Sequence, residues 1–250
     1  MPLKEATIRF YEELNDFLPE DKKKKDLMLR FYNAPSVKDA IESFGIPHTE
    51  VDLLLINSKP VSFDARVKSG DRVSVYPKFE SFDITKVSKL KGRPLRKIKF
   101  ILDVHLGKLA RYLRLCGFDT LYDNRYEDHT IAEISTAENR IILTRDIGIL
   151  KYGEVKHGYW LRSDQPRQQL EEVIKRFDLK NQVNLFQRCM ECNGKIRRVN
   201  KKKIRHKLLS STQKYYTEFH KCSQCGKIYW KGSHYYNMME FIRKILNRIN

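Results

Sequence analysis

Three aspartates in the middle of the chain stand where acidic side chains can do chemistry together. Asp103 ends the apolar run IKFILD, Asp146 follows the apolar run IILT, and Asp128 opens a segment with helical spacing. In parallel β/α units, the carboxyl ends of the strands lie at one edge of the sheet, where ligands bind. We therefore expect Asp103, Asp128 and Asp146 to share one rim, with Asp123 close by.

Carboxylates crowded at one edge repel each other, so such a cluster needs a neutralising cation or some protonated members. Mg²⁺ and Mn²⁺ prefer oxygen ligands and keep positions open for water and phosphate. Ions of this kind activate water for attack on a phosphodiester and stabilise charge on the leaving oxygen. The alternative is that each aspartate is a helix N-cap, which is a common use of Asp just after a strand.

Basic side chains near these acids predict phosphate contacts. Lys108, Arg111 and Arg114 recur on one face of the segment after Asp103, and Arg145 precedes Asp146. The opposite face of that segment carries an apolar stripe with helical spacing, which predicts a core-facing helix. The stripe consists of Leu106, Leu109, Ala110 and Leu113.

Four of the five cysteines form two Cys-x-x-Cys pairs, Cys189 with Cys192 and Cys222 with Cys225, and 29 residues separate the pairs. This spacing strongly predicts a tetrahedral, structural Zn²⁺ site. The sequence starts directly with strand-like residues, so we expect no signal peptide and a cytoplasmic location with reduced thiols. The longest purely apolar run is LLLI at 53–56, far shorter than a membrane span, so we expect no membrane partner.

The formal net charge of +18 is concentrated toward the carboxyl end of the chain. Residues 1–84 carry −2, residues 85–187 carry +7, and residues 188–250 carry +13, from 16 Lys and Arg against three Glu. Such a field predicts a polyanionic partner, and we expect RNA; the alternative is a solvated basic face.

The basic run KKKIRHK is the densest part of this charged tail, and aromatic residues are interleaved with Lys further on, in KYYTEFHK and IYWKGSHYY. Aromatic rings stack on single-stranded bases while cations hold the backbone. The competing interpretation is that Phe219, Tyr229 and Trp230 form the small core of the zinc domain. The predicted RNA-binding residues are Lys108, Arg111, Arg145, Lys201, Lys202, Lys203, Arg205 and Lys207.

The element pattern predicts an α/β protein with three domains. Residues 1–84 read as a ββαββ β-grasp domain, with a helix capped by Ser36 and a buried strand at 51–57. Residues 85–97 carry six basic residues and no acid, which is typical of a linker. Alternating strands and helices at 98–187 predict a mostly parallel sheet. Residues 188–250 hold the zinc ribbon and a final helix.

The β-grasp segment resembles the ubiquitin-like sulfur carriers of thiamin and molybdopterin synthesis, in SVKDAIESFGIPHTEVDLLLINSKPV and SGDRVSVYP. Those carriers act through a terminal Gly-Gly, and here the chain continues through YPKFESFDITK without a glycine pair. The resemblance therefore implies the fold without the sulfur chemistry. We predict a non-catalytic domain that docks or positions; a stabilising appendage is the alternative.

Residues 98–246 resemble the Mut-seven C-terminal RNase family, a branch of the PIN-like nucleases with a zinc ribbon. The segments FILDVHLGKLARYLRLCGFDT, RIILTRD and WKGSHYYNMM carry the resemblance. It implies a PIN-like central domain with catalytic acids at Asp103, Asp128 and Asp146. Many PIN domains place a further acid between the first two, and Asp123 and Glu127 are the candidates for it.

Two functions compete at this point. The first is a Mg²⁺- or Mn²⁺-dependent ribonuclease whose zinc ribbon and basic surface bind structured or single-stranded RNA, such as tRNA. The alternative is a non-catalytic RNA-binding factor in tRNA or ribosome metabolism. PIN-like domains often pair, which makes a homodimer an expectation by analogy.

Overall fold

The computed structural model describes residues 2–77, 87–90 and 97–249. The chain forms two compact units, one made of Met1–Arg96 with Asp128–Trp160 and the other of Lys97–Glu127 with Leu161–Asn250. The predicted end of the β-grasp domain at 84 and most of the predicted linker at 85–97 lie outside the described residues. The three-domain boundaries therefore stay a prediction.

The N-terminal domain is a five-stranded sheet with one helix. Its elements are β1 Lys4–Phe10, β2 Asp26–Phe31, α1 Val37–Ser43, β3 Val51–Ile56, β4 Lys59–Pro60 and β5 Arg72–Pro77. The strand order is β2-β1-β5-β3-β4, in which β1 and β5 are parallel and the other pairs are antiparallel. The predicted β-grasp fold is confirmed, with the short β4 as an added strand.

Helix α1 starts where the sequence predicts, directly after Ser36. The Ser36 hydroxyl accepts the Asp39 amide at 3.0 Å, and Gly45 after the helix has a φ of +90°. The helix covers one face of the sheet, where Ile8, Phe10 and Ile41 are almost wholly buried. The buried strand predicted at 51–57 is wrong in one respect: only Val51 and Leu54 of β3 are buried, and the other four residues of the strand are half-buried.

The β-grasp domain packs on residues 128–160 within the first compact unit. His48 Nε2 lies 2.8 Å from the Val155 carbonyl oxygen, and the Trp160 amide donates to Glu50 Oε1 at 2.8 Å. The rings of Phe17 and Trp160 lie 4.8 Å apart. These contacts join the N-terminal domain to residues 155–160 of the central domain.

The central domain alternates strands and helices. Its elements are β6 Lys99–Leu102, α2 Gly107–Leu115, β7 Asp119–Leu121, α3 Asp128–Glu138, β8 Ile141–Thr144, β9 Gly158–Trp160 and α4 Pro166–Arg176. Strands β6 and β7 pair in parallel in the second unit, and β8 and β9 pair in parallel in the first. The predicted parallel sheet is confirmed.

The predicted apolar stripe of α2 is the buried face of that helix. Leu106, Leu109, Ala110 and Leu113 are at most 3% exposed. Gly117 follows the helix at a φ of +94°, and a Cβ there would collide with the Asn184 carbonyl oxygen. Glycine is therefore required at this turn, which leads directly into β7.

The C-terminal segment is a three-stranded antiparallel ribbon followed by a long helix. Its elements are β10 Ile196–Val199, α5 Lys201–Ile204, α6 Ser210–Tyr215, β11 Phe219–Cys222, β12 Ile228–Trp230 and α7 Ser233–Arg248. Ile242 and Ile245 of α7 are buried, and the Phe241 ring lies 4.9 Å from that of Tyr112 in α2. Among the described helices, none has the length and apolar character needed to span a bilayer.

Candidate functional site

Asp103 stands directly after β6 and is held in a tight turn. The side chains of Phe100, Ile101 and Leu102 are fully buried, and Asp103 itself is 7% exposed. The Leu106 amide donates to the Asp103 carbonyl oxygen at 3.0 Å. Asp103 stands at the N-cap of this 3₁₀ turn, yet its side chain makes no capping hydrogen bond to the described residues of the turn. The cap alternative therefore does not explain Asp103.

A tyrosine fixes the backbone of the same turn. The Tyr122 hydroxyl donates to the Val104 carbonyl oxygen at 2.8 Å. A Cβ on Gly107 would lie 2.8 Å from that hydroxyl oxygen, so only glycine leaves room for the tyrosine. This arrangement sets the direction in which the chain leaves Asp103.

Asp123, the candidate for an additional acid, is engaged by Arg125. Arg125 donates from Nε and Nη2 to the two carboxylate oxygens at 3.0 and 2.9 Å, and its amide donates to Oδ1 at 3.0 Å. The side-chain and backbone hydrogen bonds of Arg125 lower the pKa of the Asp123 carboxyl to about 2. The Asp123 carboxylate is therefore ionised, and the Arg125 guanidinium balances its negative charge.

Asp128 and Asp146 belong to the first compact unit. Helix α3 begins at Asp128, and Asp146 follows β8 at an exposed position. The Asp146 amide donates to the Thr144 hydroxyl at 2.8 Å, and its Oδ1 accepts the Gly148 amide at 2.7 Å. The first contact fixes the backbone of Asp146, and the second orients its carboxylate.

The two compact units divide the predicted acidic set. Asp103 and Asp123 lie in one unit, while Asp128 and Asp146 lie in the other. Each acid stands where the sequence predicts, after a strand or at the start of a helix. Their meeting at a shared rim stays a prediction.

The predicted phosphate-binding cations differ in their surroundings. Lys108 and Arg145 are exposed, and Arg111 is exposed but paired with Glu191 at 3.1 Å. Arg114, which the sequence places on the same phosphate-facing side, is 3% exposed. The interpretation of Arg114 as a surface cation is wrong, because its guanidinium is used inside the fold.

Four cysteines bring their sulfur atoms within 4.8 Å of one another. Cys189 Sγ lies 3.6 Å from Cys225 Sγ, and Cys192 Sγ lies 3.4 Å from Cys222 Sγ. A tetrahedral Zn²⁺ site with Zn–S bonds of about 2.3 Å has sulfur-to-sulfur edges of about 3.8 Å. The spacing and the all-thiolate donor set fit a closed zinc site that uses Cys189, Cys192, Cys222 and Cys225.

Groups around the sulfurs complete this candidate zinc site. The Tyr229 hydroxyl lies 3.0 Å from Cys189 Sγ, and the Gln224 amide donates to Cys222 Sγ at 3.4 Å. Burial raises the pKa of the Cys189 thiol, but hydrogen bonds from Tyr229 and from backbone amides outweigh it and lower the pKa to about 7. Cys116, the fifth cysteine, is buried in α2's C-terminal turn, where burial raises its pKa to about 12.

A buried polar network joins the first cysteine pair to α2 and β7. Arg114 donates from Nη1 to the Met190 and Glu191 carbonyl oxygens at 3.2 and 2.7 Å, and from Nε to the Thr120 carbonyl oxygen at 2.9 Å. Burial lowers the pKa of this guanidinium, and the Cys192 and Cys189 sulfurs oppose that shift. Four thiolates with one Zn²⁺ carry a net charge of about −2. Arg114 partly offsets that charge.

Asp119 of β7 supplies the second anchor of the same cysteine pair. Its carboxylate accepts from Arg188 Nη2 at 2.7 Å and from Asn193 Nδ2 at 2.9 Å, and Asn193 Oδ1 accepts the Thr120 amide at 3.1 Å. None of these residues stood out as functional in the sequence. Their signal is the placement of Arg188 and Asn193 beside Cys189 and Cys192, which does not reveal a partner 69 residues away.

The basic run at 201–207 forms α5 and a 3₁₀ turn. Lys201 is partly buried, and its ammonium donates to the Tyr216 carbonyl oxygen at 2.8 Å and to the Gln213 carbonyl oxygen. This lysine therefore holds the loop together. The remaining four predicted RNA-binding cations of the run are exposed: Lys202, Lys203, Arg205 and Lys207.

Comparisons with known proteins agree with this architecture. Residues 98–242 match the family described as Mut7-C RNAse domain, and residues 3–83 match the family described as Mut7-C ubiquitin. The first match covers more than half of the chain and includes all the predicted acids and cysteines.

One curated relative is the human protein named Exonuclease mut-7 homolog, which is 35% identical over 106 residues. The similarity covers 40% of this chain and 12% of the relative, so the chain spans a small part of that protein's length. No solved structure is significantly similar to the chain. The description of the first family and the name of this relative both refer to nucleases.

Proposed function

The chain belongs to the Mut7-C RNAse domain family, and we propose that it is a metal-dependent ribonuclease that hydrolyses RNA phosphodiester bonds. The proposed catalytic residues are Asp103, Asp128 and Asp146. The observation that carries the proposal is the family match across residues 98–242, which spans all three of these acids.

The local structure of the acids supports this assignment. Asp103 is 7% exposed and directly follows Phe100, Ile101 and Leu102, whose side chains are fully buried. Asp146 follows the buried strand β8, and backbone contacts orient its carboxylate. Acids placed in this way after parallel strands suit divalent ions with oxygen ligands.

Mg²⁺ or Mn²⁺, when bound by these carboxylates, supplies an activated water and stabilises charge on the leaving oxygen. The residues of the chain hold the carboxylates in place, through the Tyr122 hydroxyl on the Asp103 turn and the Gly148 amide on Asp146. Asp123, already neutralised by Arg125, is not needed as a ligand in this proposal. Lys108 and Arg145 are exposed; Lys108 follows Asp103 by five residues, and Arg145 directly precedes Asp146. We propose that these two cations hold the phosphate.

RNA capture by the carboxyl-terminal domain is the second part of the proposal. Residues 188–250 carry +13, and Lys202, Lys203, Arg205 and Lys207 expose their ammonium and guanidinium groups. Each phosphate contact on single-stranded RNA should contribute a slope of about −0.7 in log K against log salt. A binding surface of this type brings the substrate to the acids without needing a particular sequence.

Asp146→Asn tests the nuclease proposal. Asparagine keeps the oxygen that accepts the Gly148 amide but removes the negative charge, so we expect a folded protein without detectable cleavage. RNA affinity should be unchanged or higher, because one repulsive carboxylate is gone. The assay follows end-labelled and internally labelled RNA on gels, with Mg²⁺ or Mn²⁺ added or omitted, since a chelator would also remove zinc.

Asp178→Asn is the matched control, because Asp178 is an exposed acid outside the proposed site. It should cleave like the wild type. Mononucleotide products from one end would show an exonuclease, and internal fragments an endonuclease. Cleavage by Asp146→Asn at the wild-type rate would refute the assignment, while metal-independent binding without any product would favour the RNA-binding factor.

A further inference from the structure

The zinc ribbon contains a groove with a volume of about 890 Å³, within the range typical of ligand sites. Its floor is the face of the ribbon sheet that carries Arg198, His220 and Tyr229, which are neighbours across the strands. One wall is the first turns of α7, with His234, Tyr235 and Met238 on one side of the helix, and Phe186 lies beside that wall. All of these residues belong to the second compact unit.

Aromatic rings line this ribbon groove. Phe186 and Tyr235 stack with their centroids 4.3 Å apart and an angle of 23°. Trp230, which is 37% exposed, lies 6.3 Å from Tyr216 at an angle of 50°. Gly232 lets the chain turn back over the indole, since a Cβ there would lie 3.0 Å from Trp230 Nε1. These rings therefore combine fixed orientation with access from solvent.

The zinc site supports the floor of the groove from behind. The ring of Tyr229 lines the groove, while its hydroxyl contacts Cys189 Sγ at 3.0 Å. Metal binding and the shape of the groove are thus coupled through one side chain. A collapsed zinc site would remove the floor.

Cations line the edge of the groove. Arg111, Arg198, Lys227 and Lys231 line it against one acid, Glu218. Lys231 and Glu218 form an ion pair at 3.2 Å, and Lys227 pairs with Glu191 at 2.7 Å. These pairs are exposed, so a phosphate can exchange with the carboxylates at little cost. The first turn of α7 carries no acidic residue, which also suits an anion.

We propose that this ribbon groove binds unstacked bases of a single-stranded RNA segment, with the adjoining phosphates on its cationic edge. The inference rests on the proposed function, because it names where the RNA substrate is held. Rings at a solvent-accessible groove stack on bases, and the net charge of +13 in residues 188–250 selects a polyanion. The exposed cations Lys202, Lys203, Arg205 and Lys207 do not line this groove. They therefore contribute electrostatic attraction to the RNA rather than contacts with its bases.

The test compares the binding of two probes of equal length and charge: an oligoadenylate and a strand whose sugars carry no bases. Binding is measured by fluorescence anisotropy on the full, zinc-loaded chain with Asp146→Asn and without Mg²⁺ or Mn²⁺. We expect Trp230→Ala to weaken oligoadenylate binding about 5- to 150-fold, the range for loss of one stacked base. The base-free strand should lose much less, and Trp230→Phe should restore most of the oligoadenylate affinity.

Tyr32→Ala is the matched control, because it removes an exposed tyrosine of the N-terminal domain and should change neither probe. Indole fluorescence gives a second readout: oligoadenylate should quench the emission of the parent protein, and the Trp230→Phe variant should lose that quenching. Zinc content and thermal unfolding confirm that each variant is folded.

Equal losses for both probes in Trp230→Ala, or no loss for either, would overturn the groove proposal. Failure of the nuclease proposal is a separate result. If the chain never cleaves RNA but shows base-dependent binding at Trp230, the groove proposal stands and the nuclease proposal fails. If the chain cleaves RNA without any base-dependent effect at Trp230, the nuclease proposal stands and the groove proposal fails.

Discussion

Arg114→Met tests whether one buried guanidinium joins α2 to the zinc site. The side chain is 3% exposed and donates to four carbonyl oxygens, of which Glu191 O is nearest at 2.7 Å. Methionine matches much of the aliphatic stem but leaves those oxygens without their donor and the cysteine cluster without a neighbouring cation. Breaking a buried charged network by removing one partner costs about 3–5 kcal/mol. We expect a loss of that size in the free energy of unfolding.

The assay is urea unfolding of the zinc-loaded chain, followed by circular dichroism, with zinc content measured in parallel. Arg111→Met is the matched control, because Arg111 lies on the same helix but its side chain is 55% exposed and makes one ion pair. An exposed pair contributes less than about 1 kcal/mol. Arg114→Lys should fall between the two, since it keeps the charge but loses the planar fork. Equal unfolding midpoints for Arg114→Met and Arg111→Met would refute the reasoning.

Two further predictions concern the metal and an acid. Removal of zinc with a chelator should unfold residues 188–232 and leave the β-grasp domain folded. The reason is that Zn²⁺ binding supplies about 10–16 kcal/mol of folding free energy in zinc-finger peptides. Hydrogen exchange of the backbone amides that stays slow at 219–222 after zinc removal would contradict this. Arg125 lowers the pKa of Asp123 from 3.8 to about 2, so the contribution of their pair is present above pH 3.8 and is lost as pH falls through about 2. Carboxyl NMR should show Arg125→Gln returning the Asp123 midpoint toward 3.8, and a wild-type midpoint already near 3.8 would refute the pairing.

Local patterns predicted most of the fold because they are set by nearby residues. The cap at Ser36 and the apolar stripe of α2 follow from spacing within one or two turns. The error at β3 has the same origin. A run of apolar residues, LLLI, gives no alternation, and how deeply each of its residues is buried depends on what the rest of the chain packs against it.

In the candidate site, the cysteine cluster could be predicted from local spacing, but the contacts of Arg114 could not. The cysteine spacing alone predicted the zinc cluster, since ligand identity and separation are written in the sequence. Arg114 was misplaced because helical periodicity gives the direction of a side chain but not its neighbours. What covers that face is a cysteine loop 76 residues later, and only the folded chain brings the two together. Tyr229 contacts the Cys189 sulfur with its hydroxyl and also lines the groove. A core role and a ligand-facing role are therefore not alternatives for this residue.

The contacts of the β-grasp domain favour a positioning role over a stabilising appendage. An appendage could pack anywhere on the first compact unit, but this domain meets Trp160, whose amide donates to Glu50 and whose ring contacts Phe17. The indole N–H of the same residue donates to the Arg145 carbonyl oxygen at 3.2 Å, and Trp160 is in register with Thr144 of β8. One residue thus links the β-grasp domain to the peptide group that precedes Asp146. Since small displacements of a catalytic group cost large factors in rate, we propose that the domain holds the proposed catalytic residue Asp146 in position.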